Sequence, residues 1–141
     1  MMDIAALKAE LLADPLGLGY APMLAAGQDS TVADALNAVR QTIDIARGVI
    51  PSYEIVNATT PTEWTALSSA EKQRYQTLTG AGQVDSANAN VRAAFQAMFA
   101  GGTATRTALT ALLTRKGSRA EQLWGAGAYV DFMAVAEARR A

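Results

Sequence analysis

The stretch that decides the predicted fold reads DSANANVRAAFQAMFAGGTATRTALTALLTRK and covers residues 85–116. It predicts two helices, Asp85–Phe99 and Thr103–Lys116, because apolar residues recur in both at the 3.6-residue period. Asp85 is the predicted N-cap of the first helix. Gly101 and Gly102 end that helix, since glycine tolerates the left-handed conformation of a helix C-terminus. A loop this short predicts an antiparallel pair packed face against face.

The N-terminal region predicts a helix followed by a turn. Asp3 is the predicted N-cap, and the pair Asp14-Pro15 ends the helix because a residue before proline avoids the helical region. The next residues, 14–23, contain two glycines and two prolines. The spacing Gly17-x-Gly19 follows a helix and lacks Gly-Lys-Ser/Thr, so a structural turn is favoured over a phosphate loop. Leu16, Leu18 and Tyr20 are expected to fill the base of the core.

A second helix is predicted to begin at Asp29 or Ser30 and to end before Gly48 and Pro51. Its predicted apolar stripe consists of Val32, Leu36, Val39 and Ile43. Residues 52–57 suit either a helical turn or a strand, and we favour the helix.

Three capping boxes predict further helix starts, at Thr60–Glu63, Ser68–Glu71 and Ser118–Glu121. Asp131 is the predicted N-cap of a final helix whose Phe132 and Val135 face inward. No useful run alternates apolar and polar residues. We therefore predict an all-α fold: one helical domain over residues 1–141, with a central antiparallel pair at about 85–100 and 103–116. The expected core contacts join Leu36, Val39, Phe95, Phe99, Leu109 and Leu112.

Composition restricts the chemistry. The 141 residues include no cysteine and no histidine, although half of the chain is hydrophobic. Disulfides, thiolate sites, a Ser-His-Asp triad and the usual zinc sites are therefore excluded. Oxygen ligands would suit magnesium or calcium, but no carboxylate spacing resembles a calcium loop. We expect no catalytic residues, no metal and no cofactor, and hence a protein that is not an enzyme.

The charge is split along the chain. Residues 1–63 hold eight acidic and three basic side chains, whereas residues 64–141 hold five acidic and nine basic ones. The two halves thus carry about −5 and +4. They could pair within one molecule, or head to tail between copies, where complementary fields set orientation. The net charge of −1 is not a nucleic-acid signature.

The residues singled out for an interface are large or basic. Trp64 and Trp124 suit core packing, but tryptophan is also enriched at interfaces. Arg115, Lys116 and Arg119 form a basic cluster that complements a helix C-terminus or contacts phosphate. The candidate interface set is Trp64, Arg115, Lys116, Arg119, Trp124 and Tyr129.

No stretch approaches the roughly 20 apolar residues of a membrane helix. The opening Met-Met-Asp lacks the features of a signal peptide. We expect a protein made in the cytoplasm and no membrane partner.

Three stretches resemble a group of small uncharacterised proteins of tailed bacteriophages and prophages. The first is LKAE at 7–10 with DPLGLGY at 14–20. The second is NANV at 88–91, leading into GTATRTAL at 102–109. The third is SRAEQLWGAG at 118–127, followed by Asp131 and a helix containing Val135 and Ala136.

The resemblance implies a virion component, since members are often encoded among virion structural genes near tail genes. It implies protein–protein contacts with other virion proteins or with copies of the same chain, tail or tail-tip association, and assembly in the host cytoplasm. It brings no catalytic residues. The alternatives are a non-structural phage protein that inhibits a host factor, and a head–tail or capsid-associated accessory protein.

Overall fold

A computed structural model describes residues 2–141. The fold is mixed, with 59% helix, 14% strand and two small antiparallel sheets. The prediction of an all-α fold was therefore wrong. The elements in chain order are α1 Ile4–Ala13, α2 Tyr20–Ala25, α3 Asp29–Asn37, β1 Val39–Ala46, β2 Val49–Pro51, α4 Ser52–Ala58, α5 Pro61–Thr65, α6 Ser69–Thr79, β3 Gln83–Asp85, α7 Ala89–Met98, α8 Ala104–Leu113, β4 Thr114–Ser118, α9 Arg119–Trp124 and α10 Phe132–Arg140.

The described chain divides into two compact units. Unit 1 consists of the N-terminal residues up to Asp44 together with Lys116–Ala141, and unit 2 consists of Ile45–Arg115. Strands β1 and β4 form one of the two sheets, and each unit boundary falls within these strands. The single domain expected over residues 1–141 stays a prediction.

Strand β1 replaces the second half of the predicted helix at residues 30–48. Helix α3 ends at Asn37, so Val39 and Ile43 belong to a strand and not to a helical stripe. Ile43 is buried, but Val39 is 63% exposed and lies outside the expected core. Half of β1 is β-branched, with Val39, Thr42, Ile43 and Ile45, and such side chains favour a pleated strand over a helix.

The second sheet explains why Asp85 is not a helix cap. Strands β2 and β3 pair antiparallel, with Ile50 opposite Val84, and both side chains are buried. Asp85 ends β3, and its carboxylate accepts the Ala87 N–H. The N-cap of α7 is instead Asn88, whose side chain accepts the N–H groups of Asn90 and Val91.

The two central helices exist, but they are shorter than predicted and have other main partners. Residues 114–116 belong to β4, so α8 ends at Leu113. Helix α7 packs mainly on α6, and α8 mainly on α4. Phe95, Phe99, Leu109 and Leu113 all contribute to the core of unit 2, with Leu112 partly buried beside them.

Aromatic contacts lie at the centre of the unit 2 core. The ring of Tyr75 meets the rings of Phe95 and Phe99 edge to face, each at a centroid distance of 6.3 Å. This arrangement suits the quadrupoles of aromatic rings. Phe95 is buried among these neighbours.

The core of unit 1 brings together residues from both ends of the chain. The buried members are Leu7, Leu11, Tyr20, Val32, Ala33, Leu36, Ala120, Val130, Val135 and Ala138. Asn37 fixes the segment before α10, because its amide donates to the Val130 carbonyl at 2.6 Å and accepts the Val130 N–H at 2.9 Å. The predicted turn at residues 14–23 is shorter than expected, because Tyr20 begins α2. Tyr20 is buried and Leu18 packs partly on this core, but Leu16 is exposed, so its predicted place at the base of the core was wrong. Phe132 is also exposed, so its predicted inward position was wrong.

Most predicted helix starts are confirmed. Asp3, Thr103 and Asp131 cap α1, α8 and α10, while Ser68 and Ser118 form complete capping boxes. The predicted N-cap of α3 was wrong, because that helix begins at Asp29 with Gln28 at the cap position.

The third predicted capping box, Thr60–Glu63, is not formed: α5 begins at Pro61 with Thr60 as its N-cap residue, but the Thr60 side chain makes no cap hydrogen bond. Its two members instead take part in a contact between two helices. The Thr60 hydroxyl donates to Glu63 Oε1 at 2.7 Å, and the same oxygen accepts the Thr105 N–H at 2.9 Å. Glu63 therefore satisfies an N–H in the first turn of α8 from its position on α5. These hydrogen bonds from Thr60 and Thr105 lower the pKa of Glu63.

We predict that Phe95→Ala destabilises unit 2 by about 3–5 kcal/mol, because it removes a fully packed ring. Urea unfolding followed by Trp64 fluorescence in a Trp124→Phe background measures the change. Gln96→Ala, on the exposed side of the same helix, should stay within about 0.5 kcal/mol of the parent. Equal stability of the two variants would show that Phe95 is not a core residue.

We predict that Glu63→Gln costs most at neutral pH and little in acid. A carboxylate whose pKa is lowered by folding stabilises the folded state above its unfolded pKa, and that stability is lost as the pH falls through the folded pKa. Thermal melts of the parent and variant across pH should therefore converge as the solution is acidified. Glu137→Gln, on the exposed surface of α10, controls for the change of net charge. A difference between parent and Glu63→Gln that is constant with pH would contradict the assignment.

Candidate functional site

The residues predicted for an interface fall in both units. Trp64 and Arg115 belong to unit 2, whereas Lys116, Arg119, Trp124 and Tyr129 belong to unit 1. Within unit 1, the short helix α9 carries Arg119 at its start and Trp124 at its end. The structure thus places these two predicted residues on the same short helix.

Arg119 is bound inside unit 1. Its Nε and Nη2 donate to the two carboxylate oxygens of Glu10, both at 2.8 Å. Its Nη1 donates to Gln122 Oε1 at 2.6 Å. The side chains of Arg119 and Glu10 are only 11% and 6% exposed. Such a two-point pair is among the stronger hydrogen-bonded contacts in proteins.

Tyr20 completes this network from α2. Its hydroxyl donates to Glu10 Oε1 at 3.3 Å. Burial and the neighbouring Glu10 charge raise the pKa of Tyr20 well above its usual range, so the phenol keeps its proton. The hydrogen bond to Glu10 likewise raises the pKa of Arg119. The network therefore holds one negative and one positive charge that neutralise each other.

A groove lies directly beside this network. Helix α1 lines it with Ala6, Ala9, Ala13 and Glu10, and α9 lines it with Leu123 and Trp124. We call this surface the α1–α9 groove, and its volume is about 370 Å³. The alanines recur along one side of α1, where their small side chains leave space next to Trp124. Leu12 on the same helix is 76% exposed.

Ion pairs join the acidic and basic halves of the chain within unit 1. Besides Glu10–Arg119, Lys116 pairs with Asp44 at 2.7 Å, and Arg139 pairs with Asp29 at 2.9 Å. The hydrogen bonds from Arg139 lower the pKa of Asp29. These contacts support the intramolecular interpretation of the charge split. Head-to-tail contact between copies stays a prediction.

The remaining predicted residues have different surroundings. Arg115 is partly buried in β4. Trp64 packs partly on the core of unit 2, with Lys72 Nζ 4.8 Å from its ring centroid. Tyr129 is 70% exposed, and the nearby Phe132 and Met133 are exposed as well. The sequence analysis placed Phe132 inward because it lies three residues before the buried Val135, a helical spacing, and it did not single out Met133.

Within residues 2–141, no group of three or more acidic side chains is arranged to hold a metal ion. No helix in that range is long and apolar enough to cross a membrane. That the chain has no cofactor and no enzymatic activity stays a prediction.

Comparison of the chain with protein-family models, with curated proteins and with solved structures gives no match. The resemblance to tailed-phage proteins therefore stays a prediction.

We predict that Glu10→Leu destabilises unit 1 by about 3–5 kcal/mol, because it leaves a buried guanidinium without its carboxylate. The double variant Glu10→Leu with Arg119→Met should recover most of this loss, since apolar replacement of a buried pair is often neutral. Urea unfolding followed by Trp124 fluorescence in a Trp64→Phe background measures both. The cycle also needs the single variant Arg119→Met. If the double variant loses as much free energy of unfolding as the two single variants together, the two side chains are not coupled.

Proposed function

We propose that this chain is a structural or assembly protein of a tailed-bacteriophage virion, associated with the tail or tail tip, that acts by protein–protein contacts. It assembles in the host cytoplasm and is retained in the virion. The resemblance of residues 7–20, 88–109 and 118–136 to phage proteins supports the setting. The α1–α9 groove supports the mode of action.

The α1–α9 groove is the observation that carries the proposal. Tryptophan is the residue most enriched among the side chains that dominate interface energetics, and Trp124 lines the groove. The alanines of α1 let a partner backbone approach closely. The Glu10–Arg119 pair joins α1 to α9, so the groove is formed before a partner arrives and little ordering is needed on binding.

The charges at the groove indicate what kind of partner fits. Glu10 is the charged residue of its lining, and Arg119 already neutralises it. Arg119 is therefore already bound to a carboxylate and is not available to a phosphate group. We propose that the occupant is an apolar segment of another virion protein, and that neither nucleic acid nor membrane is the partner.

The proposal predicts that purified virions contain this chain at a fixed ratio to a known tail protein, measured by quantitative mass spectrometry. Leu123→Asp places a charge in the groove without touching the core and should lower incorporation at least about tenfold, the effect of roughly 1.4 kcal/mol in binding. Trp124→Ala should speed dissociation of the partner, with thermal melting as a check on its fold.

Tyr53→Ala is the matched control, because Tyr53 is an exposed aromatic residue of unit 2. It should leave incorporation unchanged. Absence of the chain from virions would overturn the proposal and favour a non-structural protein that binds a host factor.

A further inference from the structure

Unit 2 contains a second cavity that the proposed function does not use. It opens among α4, α5 and α6 and has a volume of about 490 Å³, within the range of small-molecule sites. Val56, Pro61 and Trp64 form apolar parts of its lining. We call it the Trp64 pocket.

The hydroxyl groups of the lining threonines are already committed as donors. Thr59, Thr65 and Thr79 each donate to the backbone carbonyl four residues earlier, at 2.8, 2.8 and 2.9 Å. A hydroxyl has one proton and two lone pairs. These three oxygens can therefore only accept a hydrogen bond from a ligand.

The same reasoning fixes the direction of the bond between Tyr75 and Thr59. Their hydroxyl oxygens are 2.8 Å apart. Because the Thr59 proton points to the Ile55 carbonyl, the Tyr75 phenol is the donor in this contact. Burial raises the pKa of Tyr75, which keeps that proton in place. Tyr75 is thus a fourth lining hydroxyl that can only accept from a ligand.

The rest of the lining adds no charge. Among the described residues that form it, none is acidic or basic, and Trp64 and Gln76 supply the N–H donors. The lining therefore contains four residues whose hydroxyl oxygens can accept a hydrogen bond and only two side chains with N–H donors, and the rest of it is apolar. Such a lining disfavours a carboxylate or phosphate, because the oxygens of an anion need hydrogen-bond donors and would meet mostly acceptors. It favours an apolar molecule that brings its own N–H or O–H.

We propose that the Trp64 pocket binds a small, uncharged, apolar molecule that donates a hydrogen bond from an N–H or O–H, with the Tyr75 hydroxyl oxygen as the main acceptor. Tyr75 is the least exposed of the four hydroxyl residues, at 5%. A hydrogen bond made away from water discriminates most strongly between ligands with and without a donor. A buried polar group left without a partner costs more binding free energy than an exposed one, which can bind water instead. This proposal is independent of the virion assignment.

The test compares two probes that differ in one donor. Indole carries a ring N–H, and 1-methylindole has a methyl group in its place. Titration of the isotope-labelled full chain by nuclear magnetic resonance should shift the Trp64 indole signal and the backbone amides of residues 56–79, and leave Trp124 unmoved. The Trp124→Phe variant assigns the two indole signals. We expect 1-methylindole to bind about tenfold more weakly than indole.

Two variants separate hydrogen bonding from the bulk of the methyl group. Tyr75→Phe keeps the ring but removes the acceptor, so the ratio of the two affinities should fall toward one. Thr65→Val, at an exposed position in the same lining, should leave the ratio near the parent value. A purely steric preference predicts the same ratio in all three proteins and would overturn the proposal. Equal binding of both probes to the parent chain, or no shift around Trp64, would overturn it without reference to any variant.

Discussion

The buried pair between Glu10 and Arg119 is the contact on which unit 1 depends. It joins residues 109 positions apart in the chain. Taking two charges out of water is costly, and the cost is offset only when the geometry is good and the remaining polar atoms are satisfied. Both oxygens of Glu10 accept from Arg119, and Tyr20 adds a third donor. The pair therefore fixes where α1 lies against the start of α9.

Unit 1 holds further ion pairs of the same kind, between the two ends of the chain. Unit 1 is made from both ends of the sequence, and unit 2 from the continuous segment Ile45–Arg115. The acidic N-terminal residues and the basic C-terminal residues meet inside unit 1 as Glu10–Arg119, Asp29–Arg139 and Asp44–Lys116. Three acidic residues of the N-terminal half are thus paired with three basic residues of the C-terminal half within unit 1. What unit 1 offers to a partner beside α9 is apolar surface.

Local signals in the sequence were enough for most of the helices, although α2 was taken for part of a turn and the N-caps of α3 and α7 were misplaced. They were too weak for the strands. Caps at Asp3, Ser68, Ser118 and Asp131 depend on bonds within a few residues, so their spacing identifies them. Strands β2 and β3 have three residues each, and their pairing joins positions far apart in the chain. The Val39–Ala46 strand was mistaken for a helix because Val32, Leu36, Val39 and Ile43 also fit the helical period. For the candidate site, Trp124 could be picked by residue type, whereas the partner of Arg119 could not, since nothing local marks Glu10.

We propose that the α1–α9 groove, whose two helices are joined by the Glu10–Arg119 pair, is where a virion protein binds this chain. The most direct measurement is site-specific photo-cross-linking in phage-producing cells, with a benzoylphenylalanine residue placed at Leu123 or, for comparison, at Tyr53 in unit 2. We expect one strong cross-linked product from position 123, containing a single virion protein, and no such product from position 53. Equal cross-linking from both positions, or none from position 123 in cells that make intact virions, would contradict it.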